Sequence, residues 1–182
     1  GVLTLTGNGG TNAASSNNDA LSFQSGATLK SNGGAMSLTG TAGSGGSSEA
    51  LAFEPGTTIF GDANQSGDIT LRGDVIWTSN LASTRTFTGT GKFTVEPLTT
   101  SFAFGLDTTY WTFGSAVDQR FSAVTLGKQG NTAGITIGSA ITTNGPVTAI
   151  GGDIAVNANI NTSAASGAGI LLKAVGGITQ AA

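Results

Sequence analysis

Carboxylates are the side chains in this sequence with the clearest capacity for chemistry. The 182 residues include ten acids but no His and no Cys. Polysaccharide hydrolases need two neighbouring carboxylates, and lyases need a base with carboxylate-bound calcium. No two acids here are adjacent or separated by one residue, so we predict no catalytic residues and no enzyme. Two acids on neighbouring strands would be the feature that favours an enzyme. The acids are Asp19, Glu49, Glu54, Asp62, Asp68, Asp74, Glu96, Asp107, Asp118 and Asp153.

Three of these acids recur every six residues, at Asp62, Asp68 and Asp74. Such spacing could hold calcium, but the tandem Gly-Gly-x-Gly-x-Asp repeats of calcium-binding β-rolls are absent. Carboxylates at turns explain the pattern, as they do for Asp153, which precedes Ile154 just as Asp68 precedes Ile69. Without Cys or His, thiolate and imidazole sites are also excluded. We therefore predict no metal and no cofactor.

A cluster of aromatic and charged residues offers a binding site. Its members are Trp77, Asp107, Tyr110, Trp111 and Arg120. The rings could stack on a sugar while Asp107 and Arg120 bond its hydroxyls. The alternative is that these aromatic rings fill the core or cover a loop. Both interpretations remain open.

Composition limits the remaining functions. Net charge is −3 and the seven basic residues are scattered, which argues against nucleic acid as a partner. No stretch approaches the roughly 20 apolar residues of a membrane span. Abundant Val, Ile and Thr with 30 Gly predict an all-β protein with tight turns.

A repeated phrase near the end of the chain indicates how those strands are arranged. Its copies are Gly134-Ile135-Thr136-Ile137, Asp153-Ile154-Ala155-Val156 and Gly169-Ile170-Leu171-Leu172, and the second interval is slightly shorter than the first. A unit of about 20 residues or fewer cannot bury its own apolar face and has to stack on copies of itself. We therefore expect Ile135, Ile154 and Ile170 to stack.

An earlier repeat has a longer period. Ala20-Leu21-Ser22-Phe23 returns 30 residues later as Ala50-Leu51-Ala52-Phe53, and Gly26-Ala27-Thr28-Leu29 matches Gly56-Thr57-Thr58-Ile59 at the same offset. Leu5, Leu38 and Leu71 recur at a constant interval that is slightly longer still. Loop insertions in a stacked repeat produce such drift. Thr-x-Thr pairs do not recur at one place in each unit, so no threonine ladder is predicted.

Short strands separated by short corners predict a single-domain parallel β-helix spanning residues 1–182. Turns of roughly 20 residues, rising about 4.8 Å each, would give about nine turns and a rod of about 40 Å. The segment 84–121 holds most of the aromatic residues and lacks the repeat phrase. We favour irregular turns with one longer loop there over an excursion packed on the side.

The sequence resembles the β-helical repeats of filamentous-haemagglutinin-like bacterial exoproteins. The matching segments include Ala20-Leu21-Ser22-Phe23, Ser66-Gly67-Asp68-Ile69-Thr70-Leu71, Ala123-Val124-Thr125-Leu126-Gly127 and Ala174-Val175-Gly176-Gly177-Ile178-Thr179-Gln180-Ala181. The resemblance implies a right-handed helix, secretion and a place at the bacterial surface. The Asn-Pro-Asn signatures of the family's secretion domain are absent, so we expect an interior segment.

These observations predict a structural function. We expect a rod or stalk segment of an adhesin or extracellular fibre, whose partners are neighbouring repeats of the same polypeptide or further copies joined end to end. The alternative is a glycan-binding adhesion module that uses the aromatic middle segment.

Overall fold

The computed structural model describes residues 1–12, 14, 17–76, 83–114, 116–163 and 168–181. In these residues the chain is all-β, with 19 strands and one 3-10 turn at Val117–Gln119. The strands are β1 (Leu3–Asn8), β2 (Leu21–Phe23), β3 (Thr28–Leu29), β4 (Met36–Thr41), β5 (Leu51–Phe53), β6 (Gly56–Gly61), β7 (Ile69–Arg72), β8 (Ser83–Thr88), β9 (Lys92–Glu96), β10 (Leu106–Asp107), β11 (Trp111–Phe113), β12 (Ala123–Gly127), β13 (Ile135–Ile137), β14 (Ile141–Thr143), β15 (Val147–Gly151), β16 (Ile154–Val156), β17 (Ile160–Thr162), β18 (Ile170–Ala174) and β19 (Ile178–Gln180).

Every pairing between these strands is parallel, and each joins strands far apart in the sequence. The largest sheet has seven strands, in the order β1-β4-β7-β9-β12-β15-β18. Two sheets have four strands, β10-β13-β16-β19 and β11-β8-β6-β3, and two have a pair each, β14-β17 and β2-β5. The prediction of an all-β protein with parallel strands is therefore confirmed.

In the seven-stranded sheet, side chains at paired positions form columns that run from strand to strand, and we call each column a file. One file is buried and the next is exposed. The inward file begins at Leu3, passes through partly or fully buried apolar residues and ends at Ile170, which is half exposed. Its members are Leu3, Met36, Ile69, Phe93, Val124, Val147 and Ile170. Like side chains stacked in register gain dispersion energy from close contact.

The outward file on the same sheet is a ladder of hydroxyls. Its members are Thr4, Ser37, Thr70, Thr94, Thr125 and Thr148, which pair in sequence from strand to strand. Thr-x-Thr pairs do not recur from strand to strand, as the sequence indicated, and the ladder is built instead from a single Thr or Ser in each strand. The next outward file is broken where Arg72 pairs with Glu96.

The N-terminal repeat is confirmed over part of its length. Leu21 pairs with Leu51, and Leu38 pairs with both Leu5 and Leu71. The predicted register of the second half of this repeat was wrong by one residue, since Leu29 pairs with Phe60 rather than with Ile59. Phe60 is fully buried, and a slip of one residue would turn its ring to the opposite face.

For the C-terminal repeat, the predicted stacking is correct for the first two copies and wrong for the third. Ile135 and Ile154 do pair, as predicted. The third copy does not continue that stack: Ile170 pairs with Val147 in the seven-stranded sheet, and Ile154 pairs with Ile178. Strands with similar sequences therefore belong to two different sheets. The corners between the strands determine which sheet each strand joins.

Parallel pairing runs through the aromatic segment 84–121. Phe87 pairs with Phe60 on one side and Phe113 on the other, while Phe93 pairs with Ile69 and Val124. The rings form a continuous buried chain with centroid separations of 4.6 Å (Phe87 to Phe93) and 5.1 Å (Phe60 to Phe87). A longer connection, 97–105, lies within this segment between β9 and β10.

Buried polar side chains hold the corners together. The Gln65 amide donates to the carbonyls of Gly34 and Gly67 and accepts from Ser31 Oγ at 2.6 Å. Asn131 Nδ2 donates to the Ile150 carbonyl at 2.9 Å. These side chains satisfy backbone groups that the turning chain would otherwise bury without partners.

Candidate functional site

The parallel register brings two acids together that are far apart in the sequence. Asp19 and Glu49 each lie two residues before a strand, β2 and β5, and these strands pair at Leu21 and Leu51. The Glu49 backbone NH donates to Asp19 Oδ1 at 2.9 Å, which brings the two carboxyl side chains near each other. The sequence interpretation missed this pair because it compared only acids that are neighbours along the chain. Applying the period of the earlier repeat to the acids would have found it.

These two acids line a hollow of about 220 Å³, the acidic hollow, together with a third. Its walls also include Asn17, Ser47, Phe53 and Glu54, and Glu54 Oε1 accepts from Ser22 Oγ at 3.3 Å. Partial burial, the hydrogen bond to Asp19 and the charges of Asp19 and Glu54 raise the pKa of Glu49 to about 8. At neutral pH Glu49 therefore carries a proton.

The contacts of this pair favour a structural role. Asp19 Oδ1 accepts the Glu49 backbone NH at 2.9 Å, so this carboxylate bonds to the neighbouring corner. Within the residues described, no group of three or more acidic side chains is arranged to hold a metal ion.

Three of the other acids accept hydrogen bonds from the backbone of a neighbouring segment. Asp68 Oδ1 accepts from the Lys92 backbone NH at 2.8 Å, and Asp153 Oδ1 accepts from the Gly177 NH at 2.7 Å. Asp74 Oδ1 accepts from the Thr99 NH at 2.8 Å. Each carboxylate thus fixes the start of a following segment rather than facing another acid.

Of the five residues predicted to bind glycan, Trp111 is placed in the core. Its side chain is 2% exposed, with its ring 5.0 Å from Phe87 and 5.9 Å from Phe93. A sugar cannot stack on a ring that is covered on both faces, so the predicted role of Trp111 was wrong. Trp77 lies outside the described residues.

The three remaining residues of that cluster are partly exposed. Asp107 Oδ1 accepts from the Thr109 NH at 2.8 Å, which makes it part of a tight turn. Arg120 Nη1 reaches Ser163 Oγ at 3.5 Å. Tyr110 is half-buried and precedes β11, where its carbonyl accepts from the Arg85 NH.

Arg85 itself is a fully buried base that the sequence did not single out. Its Nη2 donates to the Phe53 carbonyl at 3.2 Å, and its guanidinium lies 5.3 Å from the centroid of the Phe53 ring. Burial lowers the pKa of Arg85 to about 10, so it stays charged at neutral pH. A cation over an aromatic face inside a ring-lined core links β8 to β5.

The carboxy-terminal strands form an open apolar surface. A hollow of about 290 Å³ lies between β16, β17, β18 and β19, with Val156, Ile160 and Leu172 among its walls. Ile170, Leu171 and Ile178 are about half exposed. No described strand pairs with the outer edges of β18 or β19.

Comparison with known proteins found no matching family model, no similar curated protein and no similar solved structure. In the described part of the chain, no helix is long and apolar enough to cross a membrane. The candidate sites therefore have to be judged on their own geometry. What that geometry defines is an all-β protein built from stacked parallel strands.

Proposed function

We propose that the chain is a right-handed parallel β-helix that serves as a rod or stalk segment of a secreted bacterial surface adhesin or extracellular fibre. The seven-stranded parallel sheet is the observation that carries this proposal. Six intervals of about 4.8 Å give this sheet a stacked height of about 29 Å. Successive strands of each sheet are separated by strands of the other sheets, as winding around one axis requires.

The right hand is supported by a general rule for parallel strands. Crossovers between parallel strands of one sheet are right-handed in about 98% of cases, because twisted strands pack back onto the sheet only that way. The resemblance to filamentous-haemagglutinin-like repeats agrees with this hand and with a secreted location.

A scaffold role fits how the polar side chains are used. Asp68, Asp153, Gln65 and Asn131 bond to the backbone of adjacent segments, and Asp19 Oδ1 likewise accepts the Glu49 backbone NH. The inward files are apolar throughout the seven-stranded sheet. These features support stacking rather than catalysis, so we propose that the chain is not an enzyme.

End-to-end assembly is part of this proposal. The outer edge of β18 offers unpaired backbone groups and half-exposed apolar side chains, which favours pairing with another strand. The partner would be a neighbouring repeat of the same polypeptide or the β1 edge of a second copy.

Small-angle scattering combined with negative-stain electron microscopy tests the scaffold proposal. We expect a particle with a long axis of at least the stacked height of about 29 Å, and longer rods as concentration rises. Ile170→Pro would block the β18 edge, because the Ile170 NH points away from β15, and should abolish the lengthening. Spherical particles would contradict the rod, and lengthening retained in Ile170→Pro would contradict assembly through β18.

The alternative function is glycan binding by the aromatic middle segment. It would now depend on the partly exposed Tyr110, with Asp107 and Arg120 as its polar partners. A glycan array separates the two functions. A reproducible hit that is lost in Tyr110→Ala would favour the binding module, and the absence of such a hit would favour the rod.

A further inference from the structure

A notch on the side of the protein arises from unequal corner lengths. The corner 73–75 separates β7 from Ile76, which forms an isolated parallel bridge with Leu51, and is three residues long. The corners 42–50 and 97–105 on either side of it have nine residues each. The three corners are adjacent, since Ala50 NH donates to the Val75 carbonyl and Ala103 NH donates to the Asp74 carbonyl. The short corner therefore forms the floor of a gap between two longer walls.

This notch encloses about 320 Å³ and is apolar. Val75 forms its floor, Phe104 one wall, and the backbone of Gly43, Gly45 and Gly46 the other. Phe104 is 71% exposed, although most of the chain's other Phe rings are buried. The volume falls in the range of pockets that receive a ligand side chain.

Both walls are fixed in place before any ligand arrives. On the glycine side, Gly43 NH donates to the Asn18 carbonyl at 3.0 Å, and Ser44 NH donates to the Gly10 carbonyl at 3.0 Å. On the other side, Thr99 NH bonds to Asp74 Oδ1, and Phe102 NH bonds to Asn131 Oδ1 at 3.2 Å. A preformed pocket loses little entropy when it is filled.

Charge next to the notch is negative. Glu49 lines both the notch and the acidic hollow, so Asp19 and Glu54 lie immediately beyond it. Asp74 adjoins the floor. Neither Lys nor Arg is among the described residues that line the two hollows. An apolar cleft that continues into an acidic one is complementary to a ligand with an apolar group beside a cation.

We propose that this notch docks an extended cationic peptide segment of a partner protein. An aliphatic side chain of the peptide fills the space between Phe104 and Val75, and the adjoining Lys or Arg side chain lies over Glu49 and Asp19. The ring of Phe104 and the bare glycine backbone give the contact its apolar part. This site is independent of the stacking ends that the rod proposal uses.

Protonation of the acidic hollow makes the binding depend on pH. Burial raises the pKa of Glu49 to about 8, together with Asp19 and Glu54, the two carboxyl groups that face it. A bound cation favours the ionised carboxylate, so binding should release a proton at neutral pH. Affinity should increase between pH 7 and pH 9.

Isothermal titration of the full chain tests the proposal with a five-residue, terminally blocked probe peptide in which leucine is flanked by two lysines. We expect saturable binding that weakens in 0.5 M salt, because the charges are partly exposed. Phe104→Ser and Glu49→Gln should each weaken binding by about fivefold or more. Val117→Ser, which changes an exposed apolar residue elsewhere, should leave binding unchanged.

Two comparison peptides separate the charged contribution to binding from the apolar contribution. A peptide with glutamates in place of the lysines should not bind, and one with glycine in place of leucine should bind more weakly. No saturable binding of the lysine-leucine-lysine peptide would overturn the proposal. So would equal binding by the glutamate peptide, equal binding by free lysine, or an unchanged affinity in Phe104→Ser with normal circular dichroism.

Discussion

Ile154 pairs in parallel register with Ile178, and its side chain is fully buried while that of Ile178 is 52% exposed. The two residues share one stack and one side chain type but differ in what covers them. Ile154 lies between Ile135 and Ile178, whereas no described strand covers Ile178 on its outer side. This difference makes the pair a direct test of how the stack is stabilised.

Replacing Ile154 by Asp should unfold the carboxy-terminal strands. The change places a charge in the core without a partner, and we expect a loss of about 4 kcal/mol or more in the free energy of unfolding. Ile178→Asp is the matched control and should cost less than about 1 kcal/mol, because the site is half exposed. Urea denaturation followed by circular dichroism measures both, and equal losses would show that the stack does not bury Ile154 as described.

The chain of aromatic rings should be a main source of stability. Phe87 contacts Phe60, Phe93 and Trp111 within 5.1 Å between ring centroids. We expect Phe87→Ala to lower the free energy of unfolding by about 3–5 kcal/mol. Phe104→Ala removes an exposed ring and should change it by less than about 0.5 kcal/mol. A similar melting temperature for the two variants would contradict a continuous aromatic core.

Close backbone contact at one glycine should be visible in its alanine variant. A Cβ at Gly40 would lie 2.0 Å from the Ala50 carbonyl oxygen, where the backbone leaves no space. Gly40→Ala should therefore destabilise by about 1–3 kcal/mol, since one of the two segments has to move. At Gly46 an added Cβ meets no atom within 4 Å, so Gly46→Ala should be neutral or slightly stabilising. Thermal melts that rank the two variants the other way would contradict the packing of β4 against the corner 42–50.

The stability of the protein should decrease as pH rises. The folded state holds a proton on Glu49 up to about pH 8, while the unfolded chain loses it near the ordinary value of 4.5. Between these values the folded state binds more protons, so the contribution of Glu49 is complete below pH 4.5 and is lost as pH passes through 8. Urea denaturation at pH 5, 7 and 9 measures the slope of the free energy of unfolding against pH.

Glu49→Gln should flatten that pH dependence, because the amide keeps a hydrogen-bond donor but does not titrate. The control is Asp118→Asn, at an exposed carboxylate on the 3-10 turn, and its slope should match that of the unchanged protein. An unfolding free energy of Glu49→Gln that depends on pH as strongly as that of the unchanged protein would show that Glu49 does not hold the additional proton in the folded state.

The sequence alone was enough to predict parallel, stacked strands. Its two repeat periods placed Leu21 beside Leu51 and Leu5 beside Leu38, because a repeated apolar strand has to bury its face against its own copy. It also predicted the burial of Ile154. These pairings and this burial follow from side chain alternation and repeat period, which can be read directly from the sequence.

Which sheet a strand joins was decided only by the tertiary structure. Gly169-Ile170 and Gly177-Ile178 have the same local pattern, but the first strand joins the seven-stranded sheet and the second stacks on Ile154. The corners determine this, and their lengths vary without changing the strand phrases. The same holds for Trp111, which enters the core because its register partner Arg85 faces inward.

The candidate sites likewise depend on distances that sequence does not encode. Asp19 and Glu49 are hydrogen-bonded through a register set by the leucines two residues later, and Phe104 faces Gly43 across a corner that happens to be short. Local side chain alternation determines the strands, because burying an apolar face is a local requirement. The surface between the strands follows from how corners of different length stack, and that is a property of the folded chain alone.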